Sequence, residues 1–345
     1  MHATEPRTNT RYEKAKQVRC LRKVTELGPA IARDRWLLEQ GVTSDMPAAA
    51  ILLSTFNGAK FLPSFLDSLT HQSFASIALY WRDDGSTDTS AEIIGKANLG
   101  FPVTHITSNA RLGPAKSFLT LLQAAEGNHS SYHFADQDDI WLRDRVRIAH
   151  EAVTARTMPA LYHAPPQPVN SDGSPIGRPV PAPAASFENA LVENCVVGCT
   201  SAINAEAAQL MIRGSPQGVL MHDWWAYLIA TGLGEVVAGE DAQVLYRQHG
   251  SNVIGANIGF RRITGRVHRA WRRGRLVPEV TDQLLEFLRI HGDALRPDRR
   301  GALESMVACR TSLGGRVRVA LSPPFRRSSS LDQTLFRVAA LLGKI

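Results

Sequence analysis

Residues 134–141 read Phe134-Ala135-Asp136-Gln137-Asp138-Asp139-Ile140-Trp141. Small and apolar residues run straight into acids, the pattern of a buried strand that stops at a polar rim. Carboxylates in such a place are costly to keep ionised unless a cation neutralises them. A divalent metal bridging a diphosphate would do so, because hard cations take oxygen ligands and leave positions open for phosphate. The plainer reading is a polar loop in which Asp139 caps the next helix. The neighbouring segments decide between the two.

Upstream, residues 48–53 form a short apolar run that ends in Ser54-Thr55-Phe56-Asn57-Gly58, a strand feeding a loop. Phe61, Phe65, Leu66 and Leu69 then recur at helical spacing. A second strand is predicted over 77–81, ending in Arg82-Asp83-Asp84-Gly85-Ser86-Thr87-Asp88. A helix over 91–97, a strand over 103–107, a helix over 115–125 and a strand over 132–135 follow. Strands alternating with helices predict an α/β fold with a mixed, mainly parallel sheet flanked by helices. Ligands of such sheets bind beyond the carboxyl ends of the strands, where both acidic motifs fall.

Downstream, residues 164–185 are rich in proline, glycine and serine and predict a loop. A strand is expected over 196–203, a helix over 223–231, and one or two strands over 236–246. From Gly259 the character changes: Arg261, Arg262, Arg266, Arg269, Arg272, Arg273 and Arg275 arrive with no acid among them. Helical segments then run to an apolar stretch at 335–342. The expected organisation is an N-terminal extension over 1–47, an α/β domain over 48–258 and a helical, basic region over 259–345.

A chain of 345 residues with 44% hydrophobic content can bury a large core. Its formal net charge of +7 favours an acidic partner, whether nucleotide phosphates, nucleic acid or an anionic membrane. Cys20, Cys195, Cys199 and Cys309 make neither a disulfide framework nor a zinc site, which points to a reducing compartment. No apolar run reaches the ~20 residues of a membrane span, and the polar N-terminus lacks the apolar core of a secretory signal.

Five further segments bear on function. A carboxylate of Asp83-Asp84 can accept the imide N–H of uracil or thymine, or ribose hydroxyls, while Gly85 permits a tight turn. The alternative is a helix-cap loop without ligand. In His222-Asp223-Trp224-Trp225, large aromatics can raise the proton affinity of Asp223 and make it a general base, with the tryptophans as a sugar platform. Here the alternative is a capping acid followed by core tryptophans. His249, in Tyr246-Arg247-Gln248-His249, could complete a metal site begun by Asp138, or be a surface histidine in a turn. Cys195 and Cys199 read as packed core thiols, with Gly198 marking a close backbone approach. The arginine run suits a membrane surface or a solvated helix face. Without a nucleic-acid motif or aromatic interleaving beyond Trp271, nucleic acid is set aside.

Taken in order, these motifs resemble glycosyltransferase family 2, most closely its bacterial rhamnosyltransferase branch. The likeness covers roughly residues 48–345. The carrying segments are 52–58 (LLSTFNG), 82–88 (RDDGSTD), 109–118 (NARLGPAKSF), 134–141 (FADQDDIW), 197–200 (VGCT), 222–225 (HDWW), 246–253 (YRQHGSNV) and the tail 335–344. The resemblance implies a GT-A fold and an inverting, metal-dependent transferase. Its donor would be a sugar nucleotide, dTDP-L-rhamnose, and its acceptor a hydroxyl of a cell-surface polysaccharide or lipid-linked glycan. It implies Asp223 as catalytic base. Asp138 and His249 would hold Mg²⁺ or Mn²⁺, Asp138 being the metal acid of the DXD motif Asp136-Gln137-Asp138. Ser54, Thr55, Phe56, Asn57, Asp83, Asp84, Lys116, Asp136 and Gln137 would lie on the donor, and Trp224 and Trp225 on the acceptor. Phe56 stands where tyrosine is usual, losing a hydroxyl but keeping a stacking face. A peripheral place on the cytoplasmic face of the membrane follows. The alternatives are a UDP-hexose donor on the same scaffold, or a noncatalytic nucleotide- or carbohydrate-binding module. Against the module stands the retention of Asp138, Asp223 and His249 together. A nucleotidyltransferase would have no use for HDWW, and no glycine-rich P-loop is present.

Overall fold

The computed structural model describes residues 46–107, 110–181, 183–248, 278–321 and 325–343. Residues 1–45 of the expected N-terminal extension, His249 and the arginine run 261–275 lie outside the described residues.

The centre is a seven-stranded sheet in the order β3-β2-β1-β4-β8-β6-β9. Its strands are β1 (Ala49–Thr55), β2 (Ile77–Asp83), β3 (Val103–His105), β4 (Ser131–Asp136), β6 (Ala160–His163), β8 (Ala202–Asn204) and β9 (Glu235–Ala238). β1 pairs in parallel with β2 and with β4, so Thr55 lies level with Asp83 and Ser54 with Asp136. That register brings the ends of all three strands to one rim. Residues 49–53 are buried throughout, as both faces of a central parallel strand require. Helices α1 (Leu62–Thr70), α2 (Ser90–Lys96), α3 (Pro114–Ala125) and α4 (Arg145–Thr154) connect the early strands. α1 sends Phe65, Leu66 and Leu69 into the core with Ile51, Leu53 and Trp81.

The later strands depart from the simple parallel pattern. β8 runs antiparallel to both β4 and β6, and β9 returns parallel to β6. The strand expected over 196–203 is only β8; Gly198–Thr200 before it is a 3₁₀ turn. The Thr200 and Ser201 hydroxyls donate to the Val197 and Gly198 carbonyls, at 2.9 and 2.7 Å. Such local bonds compete with a strand ladder. The loop expected over 164–185 contains β7 (Gln167–Val169), which pairs in parallel with β10 (Val244–Arg247). With β5 (Ile140–Trp141), antiparallel to β10, they form a second sheet of three strands.

α5 (Phe187–Ala190), α6 (Ala205–Ile212) and α7 (His222–Leu233) complete the α/β part. The C-terminal helices are α8 (Pro278–His291), α9 (Pro297–Ala308), α10 (Leu313–Leu321) and α11 (Ser330–Leu341). α8 is tied to α7 by Phe287, whose ring meets Trp225 edge-on at 5.4 Å. Among the described residues, no helix is long and apolar enough to cross a membrane.

Candidate active site

The loops after β1, β2 and β4 are stitched together by their own side chains. Thr55 donates its hydroxyl to Asp83 Oδ1 at 2.9 Å. Asp83 also accepts the Ser86 N–H and hydroxyl, holding the turn at Gly85, whose φ of 89° glycine tolerates best. Asn57, itself at a φ of 49°, donates its N–H to the Ser86 hydroxyl and accepts the Thr87 N–H. Gln137 reaches back from the acidic motif: its amide oxygen accepts the Phe56 N–H and its amide nitrogen donates to the Phe56 carbonyl, each at 2.9 Å. Gln137 is thereby a clamp on the β1 loop, which the sequence alone presents as a donor contact.

Asp84 is buried and ion-paired to the fully buried Arg82 at 2.6 Å. Its Oδ1 also accepts the Leu112 N–H and its Oδ2 the Gly113 N–H. Burial raises the Asp84 pKa, but Arg82 and the two N–H groups outweigh it and hold the carboxyl below its ordinary value. Arg82 donates onward to Ser117, which accepts from Ser54 at 2.8 Å, and to the Ala110 carbonyl. These bonds fix the 110–113 loop beside Phe56, where the Arg111 guanidinium lies 3.9 Å from the ring centroid. Lys116 is exposed on α3 and lines a cavity of about 280 Å³ with Leu112, Thr120 and Gln217.

The acids at and after the end of β4 gather beside this loop cluster. Asp136 is half-buried at the strand end, and its pKa is pushed up to about 7 by burial, then by the charges of Asp138 and Asp223. Asp138 is also half-buried. Asp139 turns inward: its Oδ1 accepts the Arg247 N–H, while its buried Oδ2 finds no N–H or hydroxyl donor among the described residues. Burial, then Asp138 and Asp136, hold Asp139 well above the carboxylate range. Asp136, Asp139 and Cys199 each place a ligand atom within 4.8 Å of the others. Crowded carboxylates fit a cation, with the Cys199 thiol as the neighbour that otherwise hydrogen-bonds the Asp139 carboxylate. Within this cluster a hard divalent ion would take the oxygens of Asp136 and Asp139 rather than the Cys199 thiol, whose own pKa burial and Asp139 push well up.

Asp223 closes the site from the other side. It lies in the first turn of α7, 4% exposed, with its Oδ1 accepting the Trp224 N–H at 2.7 Å. Burial pushes its pKa up to about 6, against hydrogen bonds from Trp224, Asn194 and Gly198 that pull it down. Gly198 is the close approach: a Cβ there would sit 2.9 Å from His222 Nε2 and 3.5 Å from Asp223 Oδ2. Trp224 is 8% exposed and donates to the Ala190 carbonyl, and Trp225 is fully buried against Phe287 and His291. The expected sugar platform is therefore corrected: Trp225 packs the core and has no face for an acceptor, and Trp224 is nearly as buried.

A family model described as glycosyl transferase family 2 matches residues 50–162, the span from β1 through both acidic motifs into β6. The chain is a glycosyltransferase with a family 2 domain over residues 50–162. The dTDP-rhamnosyl transferase RfbG of Shigella flexneri is 27% identical to this glycosyltransferase over 245 residues, 64% of this chain and 81% of that protein. The UDP-Glc:alpha-D-GlcNAc-diphosphoundecaprenol beta-1,3-glucosyltransferase WfgD of Escherichia coli is 23% identical over 155 residues, 45% of this chain and 58% of that protein. Among solved structures, S. aureus TarS 1–349 in complex with UDP superposes with a TM-score of 0.52 at 14% identity, covering 86% of this chain and 79% of that one. The shared architecture is the GT-A fold.

Sequence reasoning does not find Arg82, Ser117, Asp139 or Cys199 as parts of the glycosyltransferase site. Arg82 had a signal, since a charge inside an apolar strand must find a partner. Asp139 and Cys199 had none, because 60 residues separate them and only β8 beside β4 brings them together.

Proposed function

We propose that this glycosyltransferase moves L-rhamnose from dTDP-L-rhamnose to a hydroxyl of a cell-surface or lipid-linked glycan, by one inverting displacement at the cytoplasmic face of the membrane. One observation carries the reading. Asp223 stands within electrostatic reach of Asp136 and is held near pH 6, low enough to be ionised at neutral pH and high enough to take a proton. The similarity to the rhamnosyl transferase RfbG supports the donor.

In this reading the nucleoside lies over the β1 and 110–113 loops. Phe56 and Arg111 would offer flat faces to the base, and Asp84 Oδ2, which accepts the Gly113 N–H, has capacity for one more bond from a pyrimidine imide. Asp136 and Asp138 would hold a divalent cation, with His249 as a further ligand. That ion would supply charge stabilisation to the departing diphosphate. Asp223 accepts the acceptor's hydroxyl proton as its oxygen attacks the anomeric carbon. The Gly198 and Trp224 N–H groups fix the Asp223 carboxylate for that transfer. A single base on the acceptor side gives one displacement and hence inversion.

The test is a panel of sugar nucleotides incubated with the purified full-length protein, with nucleoside diphosphate release followed with and without EDTA. The expected result is release from dTDP-L-rhamnose above UDP- and GDP-sugars, abolished by EDTA and restored by Mg²⁺ or Mn²⁺. Preference for a UDP-hexose would move the donor assignment. Full activity in EDTA would remove the metal from the account.

A further inference from the structure

The last two helices carry apolar side chains on the outside. α10 turns Val319 and Ala320 inward and sets Leu313, Val317 and Leu321 outward at 71%, 42% and 71% exposure. Spacings of four residues put these three on one stripe. α11, packed against α10, buries Phe336, Ala339 and Ala340 and exposes Leu331, Val338 and Leu341. No acid occurs from residue 305 to 331, whereas Arg310, Arg316, Arg318, Arg326 and Arg327 do. Arg310 is paired with Asp282 and Arg327 lies near Glu193, while Arg318 and Arg337 are exposed on the same two helices as the leucines.

Exposed leucines interleaved with arginines on a helix too short to span a bilayer are what an interfacial helix presents to anionic lipid. A second copy of this chain fits worse, because self-complementary pairing would set arginines against arginines. We infer that the outward face of α10 and α11 docks on an anionic bilayer, with Leu313, Val317 and Leu321 entering the headgroup boundary and Arg318 and Arg337 meeting lipid phosphates. The inference deepens the proposal of a lipid-linked acceptor, and rests on it only for its purpose.

Flotation of the full-length protein with phosphatidylglycerol-containing vesicles, and with pure phosphatidylcholine vesicles, tests it. The wild type should float with the anionic vesicles and be released by high salt. The double variant Leu313→Ser/Leu321→Ser should bind at least tenfold more weakly. These side chains lie at the surface, and circular dichroism will verify that the variant folds. Arg318→Gln and Arg337→Gln should each weaken binding about fivefold. Unchanged binding by the leucine variant would overturn the inference, as would a dimer in ultracentrifugation that the leucine substitutions dissolve. Nucleoside diphosphate release measured without vesicles separates this inference from the catalytic one: each can fail while the other stands.

Discussion

Replacing Asp223 by asparagine should silence the enzyme and stabilise the fold. Burial moves the carboxyl from its ordinary 3.8 to about 6. The folded protein therefore holds this proton more tightly than the unfolded chain. The group's favourable contribution is complete below pH 3.8 and is lost as pH rises through 6. Above that, keeping Asp223 ionised disfavours the folded state by about 3 kcal/mol, at about 1.4 kcal/mol per pH unit. The Asp223→Asn side chain would be neutral but would turn an amide nitrogen toward N–H donors, losing about 1 kcal/mol of hydrogen bonding. The net expectation is a gain of about 1–2 kcal/mol at pH 7.5, several degrees in Tm. At pH 4.5 the gain should vanish. Calorimetry of both proteins in EDTA at the two pH values measures this. The same substitution should lower kcat by about 10²–10⁴-fold. Wild-type kcat/KM should fall about tenfold per pH unit below 6. A variant no more stable at pH 7.5 than at 4.5, relative to wild type, would refute the view of Asp223 as a desolvated base.

Gly198→Ala would set a Cβ 2.9 Å from His222 Nε2 and beside Asp223, so kcat should drop about 10²-fold with donor affinity unchanged, as steady-state kinetics and calorimetry will read. Asp138→Asn should weaken Mn²⁺ binding by at least tenfold in titration calorimetry, and unchanged affinity would place the ion elsewhere. Asp84→Ala leaves the buried Arg82 without its carboxylate and frees the 110–113 loop. It should destabilise the protein by about 3–5 kcal/mol and erase any preference for dTDP or UDP over GDP, both measurable by denaturation and calorimetry. Arg145, fully buried, donates to the Ser201 carbonyl at 2.8 Å and to His133 at 3.0 Å. Arg145→Met should lower the unfolding free energy by about 2 kcal/mol in urea, and an unchanged midpoint would contradict that bonding.

The sheet's parallel half was legible because β1, β2 and β4 are buried runs stopped by polar loops. Residues 49–53 and 77–81 are buried where the pattern places them, and the acids of Asp83-Asp84 and Asp136-Gln137-Asp138 follow at one rim. The antiparallel insertion of β8 was not legible, since nothing local distinguishes a parallel from an antiparallel partner. Trp225 was misread because its burial depends on Phe287 and His291 of a helix far downstream. Gln137 looked like a ligand contact because a polar residue between two acids advertises the motif. Only the fold sets its amide against the Phe56 backbone. Asp83 and Asp84 are equally alike in sequence, yet one fastens a turn and the other balances a buried arginine.

The product of transfer reads the reaction most directly. Purified protein, dTDP-L-rhamnose, Mg²⁺ and a lipid-linked glycan acceptor should yield dTDP and one new rhamnoside, with the anomeric configuration read by NMR. Inversion relative to the donor is the predicted result of a single displacement with Asp223 as base. A product that retains the donor's configuration, or donor binding with no acceptor-dependent release of dTDP, would contradict the account.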